Sequence, residues 1–394
     1  MDGIKDKVAI VGMGCCKFGE NWDQSAEDMV VDAAYEAYAD AGIDPKDIQA
    51  AWLGTVWSGF TGISLSMPLK TPYIPVTRVE NLCATGIESL RAACYAVAAG
   101  ACDIALAVGV EKLKDTGWTG LPYSPIGVHS LSNTGMEGVM PAPTMFAPLA
   151  IRYFHHYGLS REEGKKVIAQ IAVKNHRNGA LSPKAHFQRE ITLEQAMKAP
   201  IIVDPFGLFD CCGVSDGAAA AIVVRADMAK KFRSDPVYVK ALSICASPRY
   251  GLLNSGYDYL HIEENVRAAQ KAYDEAGIKN PLEELDVAEV HDCFTITELI
   301  TYEDLGWCPR GKAPDAVRDG TFTLEGKLPV NTDGGLKCFG HPIGASGLRM
   351  MYEIYKQLQG KADKRQVKDA RLGLAHNLAV GPGSAVVSIC IAGR

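Results

Sequence analysis

No stretch of 18 or more apolar residues occurs in these 394 residues, so no helix is expected to span a bilayer. Basic residues are in deficit: 40 Lys and Arg against 46 Asp and Glu give a formal charge of -6, which argues against nucleic acid as a main partner. None of the 12 cysteines forms a C-x-x-C pair, so zinc ribbons and thioredoxin-like motifs are unsupported, and no resident metal is expected. The opening MDGIKDKVAIVGMG enters a strand pattern at once, without the basic and apolar regions of a secretory signal. The closing IAGR matches no peroxisomal or retention address. A cytoplasmic protein is therefore expected, with its cysteines as free thiols in a reducing compartment. A dinucleotide fingerprint is missing too. In VGMGCCKFG the third glycine falls at Gly19, and no acidic ribose ligand follows.

What the chain does have is a copy of itself. AAYEAYADAGIDPKDIQAAWLG (33–54) and AAQKAYDEAGIKNPLEELDVAEV (268–290) share an alanine-rich helix pattern, an Ala-Gly-Ile stop, a polar loop with proline and a short apolar strand. Gly42 and Gly277 suit the left-handed position that closes a helix. CATGIESLRAACYAVAAG (83–100) matches HPIGASGLRMMYEIYKQLQG (341–360), and each half opens and closes on an apolar strand pattern. The expected architecture is α/β: two duplicated βαβαβαββ halves in an α-β-α-β-α layered arrangement. The halves are expected at 1–235 and 236–394. A loop domain inserted at about 115–205, rich in Pro, Gly and aromatics, is expected to shape a binding site.

The duplication predicts where chemistry sits. A pseudo-twofold axis brings the matched inner helices together, with Cys83 and His341 at their N-termini opening on one pocket. The positive end of a helix dipole lowers a cysteine pKa and favours thiolate, and a nearby histidine can take the proton. The alternative is a small buried thiol packed as a hydrophobe. In AEVHDCFTITELITYEDLG (288–306), the strand reaching Val290 delivers His291 and Cys293 to one face. His291 can donate to an oxyanion and Cys293 can act as acid or base; otherwise His291 is a core imidazole. Asp292 is assigned a structural role, with either it or Thr295 capping the following helix. In LAHNLAVGPGSAVV (374–387) a strand is expected to break at His376-Asn377, and the Gly-Pro-Gly turn either aims backbone N–H groups at an anion or is an ordinary loop. His155-His156 is expected on a helix surface, without the third partner a metal needs.

With VENLCATG, APTMFAPLA, CCGVSDGAAAAIV, HDCF, GHPIGASG and LAHNLAVGPGS in hand, the sequence resembles the thiolase superfamily along its full length. The sterol carrier protein type and its bacterial and archaeal thiolase-like relatives are the nearest match. The resemblance implies the thiolase fold, with Cys83 as the acylated nucleophile and His341 as its base. His291 and His341 would stabilise the enolate oxygen, and Cys293 would take the acid/base role that a C-terminal Cys-x-Gly motif fills elsewhere; this chain has His376 there. His376, Gly383 and Met145 are further candidates for substrate or oxyanion contacts. Gly383 is chosen because Pro382 has no N–H, in a turn where glycines are usual.

The resemblance further implies coenzyme A as substrate with no permanently bound cofactor, a homodimer or higher oligomer, and a small zinc-ribbon/OB-fold partner subunit. The reaction implied is CoA-dependent thiolysis of a 3-oxoacyl-CoA in acyl-CoA degradation. Trp118 and Tyr123 suit an aromatic or branched substrate such as 2-benzoylsuccinyl-CoA, and Arg152 and Arg249 are available to a carboxylate. A retro-aldolase on the same scaffold, working with an OB-fold partner, and a non-catalytic acyl-CoA-binding subunit are the alternatives. Thiolate, oxyanion donors and a second thiol together favour the thiolase, since an aldolase has no need of an acylated thiol.

Overall fold

The computed structural model describes residues 3–116, 142–248 and 256–394. Its strands are β1 Val8–Cys15, β2 Ala50–Gly54, β3 Val76–Val79, β4 Ile104–Glu111, β5 Ile201–Val203, β6 Phe206–Gly207, β7 Gly217–Arg225, β8 Val237–Ala246, β9 Val287–Glu289, β10 Leu372–Gly381 and β11 Ser384–Gly393. The helices that matter below are α1 Ala26–Ala41, α2 Thr85–Ala98, α3 Ala142–His156, α4 Arg161–Gly179, α5 Glu263–Ala276, α6 Thr295–Asp304, α7 Gly335–Phe339 and α8 Ser346–Leu358.

The duplication seen in the sequence is the order of the sheet, β3-β2-β4-β7-β1-β8-β11-β10-β9. A bridge from Ala288 to Val330 adds a place beyond β9 equivalent to β3. Read outward from the β1–β8 junction, the two sides carry matching strands. Only two residue pairs, Ala9 with Tyr238 and Ile10 with Val237, join them. Strands β1, β4, β7, β10 and β11 are buried along nearly their whole length, as continuous Val/Ile/Ala runs such as GAAAAIVV require.

Helices lie inside and outside. α1 covers β1 and β7, and α5 covers β8 and β11; α2 and α8 touch each other and strands of both sides, which makes five layers. α1 starts at a capping box, Ser25 with Asp28, and ends at Gly42 with φ +68. α5 ends at Gly277 with φ +82, as its Ala-Gly-Ile stop predicts.

The two inner helices meet where neither has a side chain. A Cβ on Gly86 would lie 2.7 Å from the Gly347 nitrogen, and one on Gly347 would lie 2.5 Å from the Ile87 nitrogen. Backbones this close leave room for hydrogen only. One expectation fails here: β10 does not break at His376-Asn377. It pairs with β11 from Leu372 to Gly381, His376 opposite Ile389 and Asn377 opposite Ser388. Buried polar side chains in an apolar run looked like an interruption, but His376 is held by Asn265 and the Asn377 side-chain amide donates to the Met350 sulfur at 3.1 Å, although its Oδ1 has no partner.

Within 142–205, α3 rests on β10, and α4 packs on α6 and α7. This part of the inserted stretch thus lies over the segments that carry His291 and His341. No helix among the described residues is long and apolar enough to cross a membrane.

Candidate active site

Cys83 sits between β3 and α2. The chain leaves β3, turns through a single 3₁₀ turn at Leu82–Ala84 and enters α2 at Thr85. Leu82 holds φ +44, a left-handed conformation that costs a non-glycine residue about 1–3 kcal/mol and is kept where the surroundings impose it. The Thr85 hydroxyl accepts from the Asn81 amide at 2.8 Å and fixes the turn. Burial pushes the Cys83 thiol up to about 12, with Cys212 adding to it; amide N–H groups of Cys83 itself and Val380 act in the opposite direction. This corrects the expected thiolate: desolvation outweighs the helix terminus, and the resting group is a thiol.

His341 arrives from the matched position ahead of α8. Its amide donates to the Gly213 carbonyl at 3.1 Å, so the CCGVS segment fixes the loop. Its Nδ1 lies 2.8 Å from the Ser346 hydroxyl, which itself donates to the Pro342 carbonyl at 3.0 Å. The hydroxyl proton is committed, so Nδ1 carries the N–H and Nε2 carries the lone pair. That Nε2 is buried with no partner. Burial, with Arg349 behind it, lowers His341 to about 3, so the imidazole is neutral and ready to accept a proton.

His291 completes the group. Ligating atoms of Cys83, His291 and His341 all lie within 4.8 Å of one another. The two imidazoles meet edge to face, centroids 5.0 Å apart, and His291 Nδ1 is buried without a partner. Burial, together with His341 and His376, holds His291 well below the usual histidine range. Cys293 lies next along the chain, its sulfur 3.6 Å from the Thr297 hydroxyl. Its thiol is raised by burial and senses Cys212 and Cys83 nearby. Cys212, whose amide donates to the Cys293 carbonyl at 2.8 Å, is a third thiol in this space that the sequence reading left unassigned.

The supporting groups were mostly illegible in the sequence. Asp292 is structural, as expected, but it does not cap the helix that follows it. It accepts from the Leu336 and Lys337 amides at 2.6 and 3.2 Å and from the Asn175 side chain at 2.9 Å. The segment bearing His291 is thereby tied to the one leading to His341. Lys337, buried, donates to the carbonyls of Asp210 and Cys293 at 2.6 and 3.1 Å. Glu111, at the end of β4, accepts from six donors: the Thr55 and Ser58 hydroxyls and the amides of Val56, Trp57, Ser58 and Gly344. It pins the loop after β2 to the His341-Pro-Ile-Gly turn. Such partners are set by tertiary contact, with no local spacing to betray them.

Two further candidates are corrected. His376 has no free ring nitrogen: Nε2 donates to Asn265 at 2.8 Å and Nδ1 accepts from the His291 amide at 3.4 Å, so it positions His291. Gly383, with φ +77, shapes the β10–β11 turn, but the amide facing Cys83 is that of Val380. Val380 has φ +71, an outlier for a β-branched residue, and this conformation turns its N–H toward the sulfur. Met145 on α3 lies against that turn; a Cβ on Gly381 would meet its methyl at 2.7 Å. His155 and His156 are exposed on α3, as expected, and Arg152 is exposed there too. Trp118, Tyr123 and Arg249 lie outside the described residues.

A thiol, a lone-pair imidazole, a second imidazole and a second thiol, with two amides facing the first sulfur, make a constellation for nucleophilic acyl transfer. Comparison with known proteins agrees. Residues 8–227 match the family described as thiolase, N-terminal domain, and residues 253–392 match thiolase C-terminal domain-like. The acetyl-CoA acetyltransferase of Methanothermobacter thermautotrophicus is 39% identical, covering 97% of this chain and 98% of that one. Sterol carrier protein 2 of Gallus gallus is 34% identical over 98% of this chain and 72% of its own length. Among solved structures, one described as an Ltp2-ChsH2(DUF35) aldolase superposes with a TM-score of 0.86 at 26% identity, over 99% of this chain and 98% of that one.

Proposed function

The chain belongs to the thiolase family and is an acyltransferase, and on that premise we propose that it cleaves a 3-oxoacyl-CoA with coenzyme A through an acyl group carried on Cys83. Cys83 gives its proton to His341 Nε2 as its sulfur bonds to the 3-keto carbon. The C2–C3 bond then breaks, and the electron pair passes into the enolate of the departing acyl-CoA. His291 and His341 stabilise the enolate oxygen, and the Cys293 thiol protonates its carbon. Free CoA, deprotonated by the Cys293 thiolate, attacks the acyl-enzyme while the Cys83 and Val380 amides hold the oxyanion; the Cys83 sulfur then leaves and takes its proton back from His341. One observation carries the reading: a ring nitrogen of His341 lies within 4.8 Å of the Cys83 sulfur, on an imidazole whose Nε2 is buried and unpartnered.

Protein incubated with acetyl-CoA, benzoyl-CoA or succinyl-CoA is expected to gain the acyl mass, and Cys83→Ser to gain none. Absence of an adduct from every donor, in folded protein, would sink the reading. The donor that acylates fastest identifies the acyl chain, an aromatic or branched one such as that of 2-benzoylsuccinyl-CoA being the case to try after acetyl.

The likeness to the aldolase complex supports a second reading, retro-aldol cleavage with an OB-fold partner subunit. It requires turnover of a β-hydroxyacyl-CoA that survives Cys83→Ser. A homodimer is proposed across β3, an edge strand with Phe60, Ile63, Met67 and Tyr73 exposed in the segment before it. Sedimentation of wild type against Met67→Asp tests it.

A further inference from the structure

Cysteine sulfur and two imidazole nitrogens converging on one point serve a second chemistry. Among the described residues, Cys83, His291 and His341 are the one group of three such ligands within reach of a single ion, their ligating atoms within 4.8 Å. His341 Nε2 has its lone pair free, because Nδ1 is engaged by Ser346, and it is buried without a partner. His291 Nδ1 is likewise buried and unpartnered. A ring nitrogen of each histidine lies beside the thiol, and the orphaned nitrogens of these two rings cost desolvation that a ligand would relieve. We propose that these three residues bind a thiophilic divalent cation of the zinc class, and that the bound ion reversibly blocks acylation.

The geometry asks for little movement. Zinc bonds of about 2.3 Å to sulfur and 2.0–2.1 Å to nitrogen, at tetrahedral angles, place ligand atoms about 3.5 Å apart. A contraction of the order of 1 Å, shared by side-chain rotations at the thiol and the two rings, reaches that from the observed spacing. Second-shell support is present. The Ser346 hydroxyl fixes the His341 tautomer, and the His376 ring accepts from the backbone of His291. Three protein ligands leave the fourth position to water, as in open zinc sites. On binding, the Cys83 S–H bond breaks and a sulfur–metal bond forms. The proton leaves to solvent, and the imidazoles contribute lone pairs with no change of oxidation state. A metal-bound sulfur and a metal-bound His341 Nε2 can neither attack a carbonyl nor accept a proton. The inhibitory half of the proposal rests on Cys83 being the acylated nucleophile; the binding half does not.

Cobalt(II) is the probe, because thiolate ligation gives it a charge-transfer absorption that imidazole and carboxylate ligation do not. Metal-stripped wild type is expected to bind one Co²⁺ with that band, to lose it to a chelator, and to acylate at least tenfold more slowly while Co²⁺ or Zn²⁺ is bound. Cys83→Ser, near isosteric and checked for fold by circular dichroism, is expected to lose the band. His341→Gln is expected to weaken binding at least tenfold, and Cys245→Ser, remote from the site, to keep it. No band in wild type, or a band that persists in Cys83→Ser, overturns the proposal. Acylation without Co²⁺ binding overturns it and leaves the thiolase reading standing. Co²⁺ binding to Cys83 in a protein that never takes an acyl group does the reverse, keeping the metal site and sinking the thiolase reading.

Discussion

A thiol near 12 opposite an imidazole near 3 defines how the reacting pair answers to pH. Lowering pH protonates His341 only below about 3, and raising it ionises Cys83 only above about 12. The thiol–imidazole form therefore persists throughout the neutral range. The single-turnover rate of acyl-adduct formation is expected to stay flat from roughly pH 5 to pH 9, without the inflection an ordinary histidine would give near 6.5. Val380 offers a second test at this scale. Its left-handed backbone strains a β-branched side chain that is 42% exposed and has little packing to lose. Val380→Gly relieves the strain, loosens the unfolded chain and keeps the N–H. Stability is expected to stay within about 1 kcal/mol and acylation within a few fold. Collapse of acylation in a protein of unchanged melting temperature would show that the valine side chain, not the amide, is what the site uses. That Cys83 and His341 would come together with His291 could be read from the repeat and from the strand reaching Val290, and the structure brings their ligating atoms within 4.8 Å. The partners of Glu111 and Lys337 could not be read, because no local pattern distinguishes a buried charge with six donors from one on a solvated face.

Between residues and the whole, the decisive contact is the crossing of α2 and α8. It was readable in outline, since the repeat pairs CATGIES with HPIGASG, each carrying glycine at the start of an inner helix. The crossing distance was not, because spacing along the chain says nothing of spacing across it. Gly86→Ala puts a methyl 2.7 Å from the Gly347 nitrogen, which backbone cannot yield without parting the helices. A loss of about 1–3 kcal/mol is expected, read as a lower urea midpoint. A slower acylation should accompany it, since the same helices aim Cys83 and His341. Glu111→Gln keeps the shape but turns an amide toward donors that previously met a carboxyl oxygen. About 3 kcal/mol is expected to be lost, because each unmatched buried N–H costs about 1–3 kcal/mol. An unchanged urea midpoint would mean that water replaces those bonds. The continuity of β10 through His376 and Asn377 shows where pattern reading fails at this scale. A strand buried on both faces tolerates polar residues when a neighbour such as Asn265 answers them.

Across the whole molecule, buried histidines set the response to acid. His341 and His376 are lowered to about 3 and His176 to about 4, each mainly by burial. Their unfolded counterparts take up protons below about 6.5, so folded stability falls with pH from there downward, by about 2 kcal/mol per histidine between pH 7 and pH 5. Asp292 and Asp304, raised to about 6 by burial, act oppositely. Their folded forms take up protons first, returning about 1.4 kcal/mol each over the same interval. His291 is lowered in the same sense, so the histidines outweigh the two carboxyls and the urea midpoint is expected to drop between pH 7 and pH 5. A constant or rising midpoint would mean that these imidazoles are protonated in the folded state.

The two-sided sheet has a consequence for how such a site arises. Cys83 and His341 occupy equivalent places on its two sides, one ahead of α2 and the other ahead of α8. Two separate identical chains related by a true twofold axis would be obliged to present the same side chain at both places, two sulfurs or two imidazoles facing each other. A nucleophile opposite its own base is forbidden by that symmetry. Joining the copies into one polypeptide lifts the prohibition, since each position can then change alone. The covalent link between the sides is thus what permits a proton donor and its acceptor to stand across an axis that the backbone still obeys.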